Sequence, residues 1–384
     1  MLENYIYNHK GAYLVGGVPY TNKLEACLAL NRIPGDHHVH WDYHEHVYKH
    51  QPWTHEPLVG IEELYRQRAL QLREQYDHLV LFYSGGADSH TILQTFIKNN
   101  IKIDEVFCFG AFKAEEKIIE SVGWSRDPGY YTREIINIAK PMLEELQKYQ
   151  KFKVTIWDWT DKIIDTLNNK SEWFWDVGTR FVPDAVPRQY LHEVFRHNDR
   201  YEGRGKKVAF IFGVDKPRLF RDDHQVYFAF IDTMLTTGVG NTADIHNRYW
   251  ENDEYFYWSP NLPQLVVKQA HLIYNYLKQI NQLNTLTHLR AKASFHVSDY
   301  YQMIHPIIYP SWDTQTWQIK KPTSSVRDEV GKWFFDLAPA ETQKKWTEGI
   351  QEMERQVGQR WFNNQTVHDG LIGSYSKFYA VGPL

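Results

Sequence analysis

The segment with the clearest chemical character is a short run of serine, glycine and aspartate, Ser84-Gly85-Gly86-Ala87-Asp88-Ser89. Adjacent glycines can adopt backbone angles closed to other residues, and they let phosphate oxygens approach main-chain N–H groups. Ser84 and Ser89 add hydroxyl donors to these amides. A carboxylate beside phosphates repels them unless a cation intervenes, so Asp88 indicates Mg²⁺ shared between the carboxylate and the phosphates.

The residues on either side of this run predict a strand before it and a helix after it. Residues 79–83 form a short apolar run, as expected for a strand buried on both faces. From residue 89 to residue 98, apolar side chains recur at helical spacing. A helix that begins near Asp88 or Ser89 points the positive end of its dipole at the glycines. The context therefore predicts a phosphate-binding turn at the carboxyl end of a strand.

In this context the run resembles the Ser-Gly-Gly-X-Asp-Ser signature of the PP-loop ATP pyrophosphatases. That superfamily includes GMP synthetase, NAD synthetase and tRNA lysidine synthetase, and the chain is nearest in type to the synthetase domain of asparagine synthetase. The likeness extends over roughly residues 77–235 and implies that ATP and Mg²⁺ bind at residues 84–89. It also implies attack by a substrate oxygen on the α phosphate, which yields an adenylated substrate and pyrophosphate. The Walker loop that favours γ-phosphoryl transfer does not occur in the sequence.

A second candidate element follows the predicted strand 208–212 and reads Phe212-Gly213-Val214-Asp215-Lys216-Pro217-Arg218. In several members of the superfamily this strand end supplies acidic metal ligands and basic phosphate contacts, although the sequence reproduces no single member's motif. By position, Gly213 would permit a close approach and Asp215 would share the metal with Asp88. A cation here would neutralise the departing pyrophosphate. The catalytic candidates are thus Asp88, Lys216 and Arg218, and the competing interpretation of the second element is a charged turn.

The wider pattern alternates strands with helices, which predicts an α/β fold. We expect a mostly parallel five-stranded sheet with helices on both faces. Its predicted strands are residues 79–83, 104–109, 153–157, 208–212 and 226–231. A small amino-terminal α+β region would occupy residues 1–76, the ATP-binding domain 77–235 and a mainly helical region 236–384.

Composition narrows the class of protein. The net charge of −4 gives no global basic field, which argues mildly against a large nucleic-acid footprint. Two cysteines, Cys27 and Cys108, exclude a disulfide framework. No apolar run approaches the ~18 residues that span a bilayer, and the amino terminus does not resemble a secretory signal. These features predict a cytoplasmic protein.

Residues 37–50 are rich in histidine and raise a separate metal hypothesis. On a strand, alternate residues share one face, and imidazole with carboxylate suits zinc or iron. The residues that would share this face are His38, His40, Asp42, His44 and His46. An exposed polar face is the competing interpretation.

The leading functional hypothesis is an ATP-dependent adenylating enzyme that activates a carboxyl or carbonyl oxygen of a small substrate for amide or amine formation. Leu2 is the second residue, so no amino-terminal cysteine nucleophile is present and a built-in glutaminase is not expected. The nitrogen donor would be free ammonia, an amine substrate or a separate partner. The alternatives are a PP-loop sulfurtransferase or reductase that uses a thiol such as Cys108, a tRNA-modifying enzyme, and a nucleotide-binding module without turnover.

Overall fold

A computed structural model of the chain describes residues 11–20, 26, 29, 32, 34, 40–122, 135–169, 206–213, 217–231, 253–289, 297–310, 324–344, 347–348, 367–368, 371–372 and 375–384. The α-helices in this part of the chain include α1 (Glu45–Tyr48), α2 (Ile61–Gln75), α3 (Ala87–Lys98), α4 (Phe112–Val122), α5 (Lys140–Leu146), α6 (Thr160–Asn169), α7 (Pro263–Gln279), α8 (Val297–Ile308) and α9 (Ser324–Leu337). The strands are β1 (Ala12–Val15), β2 (Val18–Tyr20), β3 (His40–Asp42), β4 (His78–Phe82), β5 (Glu105–Gly110), β6 (Lys153–Asp158), β7 (Val208–Phe212), β8 (Arg218–Arg221), β9 (Gln225–Ala229), β10 (Asp253–Tyr255), β11 (Thr287–His288), β12 (Val367–His368), β13 (Leu371–Ile372) and β14 (Tyr379–Pro383).

The central sheet has five strands in the order β10-β7-β4-β5-β6, and every neighbouring pair is parallel. The predicted five-stranded parallel α/β sheet is therefore confirmed. Both β4 and β7 are buried along their whole length, as expected for strands at the middle of a covered sheet. From β4 the chain adds β5 and β6 on one side, and it then returns to add β7 and β10 on the other. The strand order thus reverses between β4 and β7.

The predicted fifth strand, residues 226–231, was assigned to the wrong sheet. It forms β9, which pairs antiparallel with β8 and β14 in a separate four-stranded sheet. The short connection between β8 and β9 accounts for this, because parallel strands need a much longer crossover. Asp222 stabilises the connection, since its Oδ1 accepts the N–H groups of His224 and Gln225 at 2.8 and 2.7 Å. The fifth parallel strand is instead β10, beyond residue 235.

Residues beyond 235 contribute both helices and strands. The described part of this region holds α7, α8 and α9, but it also supplies β10 to the central sheet and β14 to the four-stranded sheet. Helix α9 packs on α4 and α6 through a small apolar cluster that includes Phe334 and Trp159. None of the helices within the described ranges combines the length and apolar character needed to cross a bilayer.

A buried ion pair attaches α2 to the edge strand β10. Nη2 of Arg68 donates to Oε2 of Glu254 at 2.6 Å, and the side chains are 0% and 1% exposed. The hydroxyl of Tyr76 donates to the other carboxylate oxygen at 2.5 Å. Since a buried carboxylate without a cation is very costly, this pair fixes where the short polar strand can lie.

We expect Glu254→Gln to lower the free energy of unfolding by about 3–5 kcal/mol, because it leaves the charge of Arg68 buried without a counterion. Glu63→Gln on the same helix is the matched control, since Glu63 pairs with Arg66 at the surface and should contribute little. Urea unfolding followed by circular dichroism measures both changes. Equal, small shifts in the two variants would contradict the role given to the buried pair.

Candidate functional site

A left-handed turn joins the buried strand β4 to helix α3. Tyr83 still pairs with the neighbouring strand β5, because its N–H donates to the carbonyl oxygen of Phe107 at 2.8 Å. Gly85 then adopts φ +77°, a region that side chains with a Cβ rarely enter. Gly86 has φ −81° and ψ 168°, an ordinary extended conformation, and α3 begins at the next residue. Only position 85 therefore needs glycine for its backbone angles. This corrects the expectation that both positions would need it.

The two serines hold this turn in shape. The hydroxyl of Ser84 accepts the N–H of Gly86 at 3.3 Å. The hydroxyl of Ser89 accepts the N–H of Ser84 at 3.3 Å and donates to the carbonyl oxygen of Gly86 at 3.2 Å. Ser84 is exposed, whereas Ser89 is buried. Ser84 is thus open to a ligand, and Ser89 braces the loop from within.

The start of α3 supplies main-chain donors at the same place. The N–H of His90 makes the first backbone bond of the helix, to the carbonyl oxygen of Gly86 at 3.0 Å. Donors nearer the helix start have no acceptor inside the helix, and the dipole makes this end positive. Burial and the charge of Lys98 lower the pKa of His90 to about 4, so its imidazole is neutral at pH 7. His90 therefore adds no positive charge to that of the backbone donors at the turn.

Asp88 lies near the carboxyl ends of three strands of the central sheet, β4, β7 and β10. It is half-buried in the first turn of α3, just after β4. Gly213, directly after β7, packs against it so closely that an added Cβ would lie 3.2 Å from both the carbonyl carbon and the Cβ of Asp88. Tyr257, two residues after β10, donates its hydroxyl to the carbonyl oxygen of Asp88 at 2.7 Å. Gly213 thus lies directly against the first turn of α3.

Three buried tyrosines surround Asp88, and none was among the predicted site residues. Burial raises the pKa of Tyr65, Tyr257 and Tyr309, and the negative charge of Asp88 raises each of them further. The rings of Tyr65 and Tyr309 each lie 5.6 Å from that of Tyr257. The three phenols are therefore neutral, and the hydroxyl of Tyr257 bonds to the main chain of Asp88.

The rest of the second candidate element is only partly described. Asp215 and Lys216 lie outside the described residues. Arg218 is the first residue of β8 and is half-buried, in the four-stranded sheet and not at the end of the central one. Next to it, the carbonyl oxygen of Pro217 accepts the hydroxyl of Tyr300 at 2.9 Å. Gly213 is the residue of this element that the structure brings against the loop.

The carboxylate of Asp88 can take part in binding a divalent cation. No group of three or more histidine, cysteine, aspartate or glutamate side chains arranged to hold a metal occurs within the described ranges. Mg²⁺ usually keeps several waters and binds through one or two carboxylates together with substrate phosphates. The single carboxylate of Asp88 at the glycine turn is therefore compatible with Mg²⁺ that arrives bound to the phosphates of a ligand.

The histidine-rich stretch does not form the continuous strand that the metal hypothesis needs. Strand β3 ends at Asp42, His44 is left-handed with φ 51°, and α1 follows at once. His40 bonds to Glu45 at 2.5 Å, and Asp42 accepts the N–H of Glu45 at 2.8 Å. His38 lies outside the described residues. The expectation of five ligands on one face of a strand is wrong, because the turn at His44 breaks the alternation.

Cys108 lacks the character of a reactive thiol. It lies in β5 with no exposed surface, and burial raises the pKa of its thiol to about 12. A nucleophilic cysteine needs a lowered pKa and access to its partner. Cys27 lies outside the described residues.

Comparison of the chain with models of known protein families and with curated proteins finds no match.

We expect Gly85→Ala to lower the free energy of unfolding by about 1–2 kcal/mol, because alanine is strained at φ +77°. Gly86→Ala is the matched control, since its extended backbone accepts a side chain without such strain. Chemical denaturation of both variants measures the difference. A Gly86→Ala protein that loses as much stability as Gly85→Ala would contradict the assignment of the strained position.

Proposed function

We propose that the chain binds ATP with Mg²⁺ at residues 84–89 and cleaves it between the α and β phosphates. One observation carries the proposal: a glycine turn and a helix start lie together at the carboxyl edge of a parallel sheet, where the strand order reverses. Ligands of open α/β sheets bind in the crevice at this reversal, and helix starts there bind phosphates. The likeness of residues 84–89 to the PP-loop signature supports pyrophosphate as the group that is held.

In the proposed reaction a carboxylate or carbonyl oxygen of a small substrate attacks the α phosphorus. The bond between that phosphorus and the oxygen bridging to the β phosphate breaks, and pyrophosphate leaves with the bonding electrons. A nitrogen nucleophile, from ammonia or an amine, then attacks the activated carbon, and AMP leaves with its oxygen. The product is an amide or amine, and a proton is released from the nitrogen.

The chain's own groups would act on the charge that develops on the leaving pyrophosphate. Loop amides and the Ser84 hydroxyl hold the phosphates at the start of α3. Asp88, with Asp215 as the proposed second acid, would hold Mg²⁺, which would supply charge neutralisation there. Lys216 and Arg218 are the cations proposed to stabilise the departing group.

Among the alternatives, sulfur transfer through Cys108 is the least supported. Its thiol is buried in the sheet, and burial raises its pKa to about 12, which disfavours both attack on a substrate and sulfur transfer. A nucleotide-binding module without turnover shares the site geometry and differs only in the absence of pyrophosphate release. The product assay below separates that module from an enzyme.

We expect Gly86→Val to abolish ATP binding in a folded protein. The backbone of Gly86 is ordinary, so the substitution tests the space that a phosphate needs beside the loop amides and not backbone strain. Calorimetric titration with ATP and Mg²⁺ measures affinity, and circular dichroism checks the fold. Unchanged affinity in the folded variant would remove the phosphate-loop assignment.

We expect ATP labelled at the α and γ positions to yield AMP and pyrophosphate, and no ADP. Lys216→Ala and Arg218→Ala should each slow the formation of pyrophosphate by about 30- to 1,000-fold. This corresponds to an increase of roughly 2–4 kcal/mol in the activation free energy. Asp88→Asn should reduce the turnover rate more than it reduces the affinity for ATP. Removal of Mg²⁺ by excess chelator should have the same effect. ADP and inorganic phosphate as primary products would refute the proposed chemistry.

A further inference from the structure

Tyr257 reaches the start of helix α3 from the edge strand of the central sheet. The parallel pairing of β10 with β7 continues one residue beyond β10, because the N–H of Phe256 donates to the carbonyl oxygen of Phe212 at 3.1 Å. Tyr257 is the next residue, and its hydroxyl donates to the carbonyl oxygen of Asp88 at 2.7 Å. The sheet pairing of β10 therefore brings this hydroxyl to the first turn of α3.

Packing against other tyrosines holds the ring of Tyr257 in place. It meets the ring of Tyr65 edge to face and the ring of Tyr309 at a tilt, each with 5.6 Å between centroids. The side chain of Tyr257 is completely buried. Phenylalanine would fill the same space, and burying a hydroxyl is costly unless it gains a hydrogen bond. The bond to the Asp88 carbonyl is the one that satisfies the hydroxyl here.

The carbonyl that Tyr257 meets belongs to the peptide unit that joins Asp88 to Ser89. This unit is planar and trans, so its C=O and the N–H of Ser89 point in opposite directions and move as one rigid group. Ser89 comes before His90, whose N–H makes the first backbone bond of α3. The N–H of Ser89 is thus a helix-start donor that points back toward the glycine turn. A donor that fixes the Asp88 carbonyl therefore also fixes the direction of the Ser89 amide.

The surroundings of this peptide unit leave its amide as the group that Ser89 offers to a ligand. The hydroxyl of Ser89 is already engaged, because it accepts the N–H of Ser84 and donates to the carbonyl oxygen of Gly86. An added Cβ at Gly213 would lie 3.2 Å from the carbonyl carbon of the unit, so glycine there leaves the unit in place. A hydrogen bond accepted by a carbonyl also polarises its peptide group, which strengthens the N–H as a donor.

We propose that Tyr257 is a positioning residue for phosphate binding: through the Asp88 carbonyl it aims the N–H of Ser89 at a phosphate oxygen in the glycine turn. This inference rests on the proposed function of residues 84–89. The effect does not depend on Mg²⁺, because the amide binds the phosphate oxygen directly. The region beyond residue 235 thus contributes to nucleotide affinity without contacting the nucleotide.

The test compares Tyr257→Phe with the control Tyr274→Phe. Tyr274 on α7 is also buried and donates to the carbonyl oxygen of Pro383 at 2.8 Å, so the control loses the same kind of bond at the four-stranded sheet. Calorimetric titration with inorganic pyrophosphate, in excess EDTA and again in Mg²⁺, measures the affinity. Tyr257→Phe should weaken pyrophosphate binding about 3- to 10-fold in both conditions, as expected for one hydrogen bond. Tyr274→Phe should bind pyrophosphate like the wild type.

Nuclear magnetic resonance of the chain labelled with ¹⁵N-serine follows the Ser89 amide itself. Saturating pyrophosphate should shift the Ser89 amide proton downfield in the wild type, since the amide then donates to an anion. This shift should be smaller in Tyr257→Phe and undiminished in Tyr274→Phe. A merely structural role for Tyr257 would lower the stability of the fold without reducing the shift of this one amide.

The outcomes separate this inference from the proposed function. A wild-type chain that binds neither pyrophosphate nor ATP contradicts the proposed function, and the role of Tyr257 falls with it. A wild-type chain that binds, together with a Tyr257→Phe variant of equal affinity and equal Ser89 shift, overturns the positioning role alone. Equal losses of affinity in Tyr257→Phe and Tyr274→Phe overturn it too, since they indicate general damage to the fold.

Discussion

Strand β4 is buried along its whole length at the middle of the sheet, and α3 begins only five residues after it ends. The chain can make this change of direction because Gly85 adopts a left-handed conformation. The turn leaves main-chain N–H groups and the positive end of α3 at the carboxyl edge of the sheet. Every feature of the candidate site depends on this connection, since it places Asp88 against the neighbouring strand end.

Residues far apart in the sequence then hold the turn from the side of β7 and β10. Gly213 allows β7 to end directly against Asp88, and Tyr257 bonds to the Asp88 carbonyl from beyond β10. The edge strand that carries Tyr257 into place is itself held by the buried pair of Arg68 and Glu254. An ion pair in the core thus contributes to the geometry of a site on the sheet edge.

The parts that the sequence predicts well are those whose signals are contiguous. The strand, turn and helix around residues 84–89 follow one another directly, so apolar runs and two glycines suffice to predict them. Strand β10 has only three residues, two of them acidic, and its counter-charge Arg68 lies 186 residues away from Glu254. The bond of Tyr257 to Asp88 likewise depends on a contact between distant segments, which no local pattern contains. Asp215 and Lys216 remain predictions.

The central claim is that main-chain amides of residues 84–89 bind the phosphates of ATP. Amide hydrogen exchange of peptides covering this loop and the first turns of α3, with and without ATP and Mg²⁺, tests it most directly. Bound phosphate oxygens accept hydrogen bonds from these amides, so exchange in the loop should slow markedly at saturating nucleotide. Unchanged exchange at residues 84–89 in a protein shown to be saturated with ATP would contradict the account.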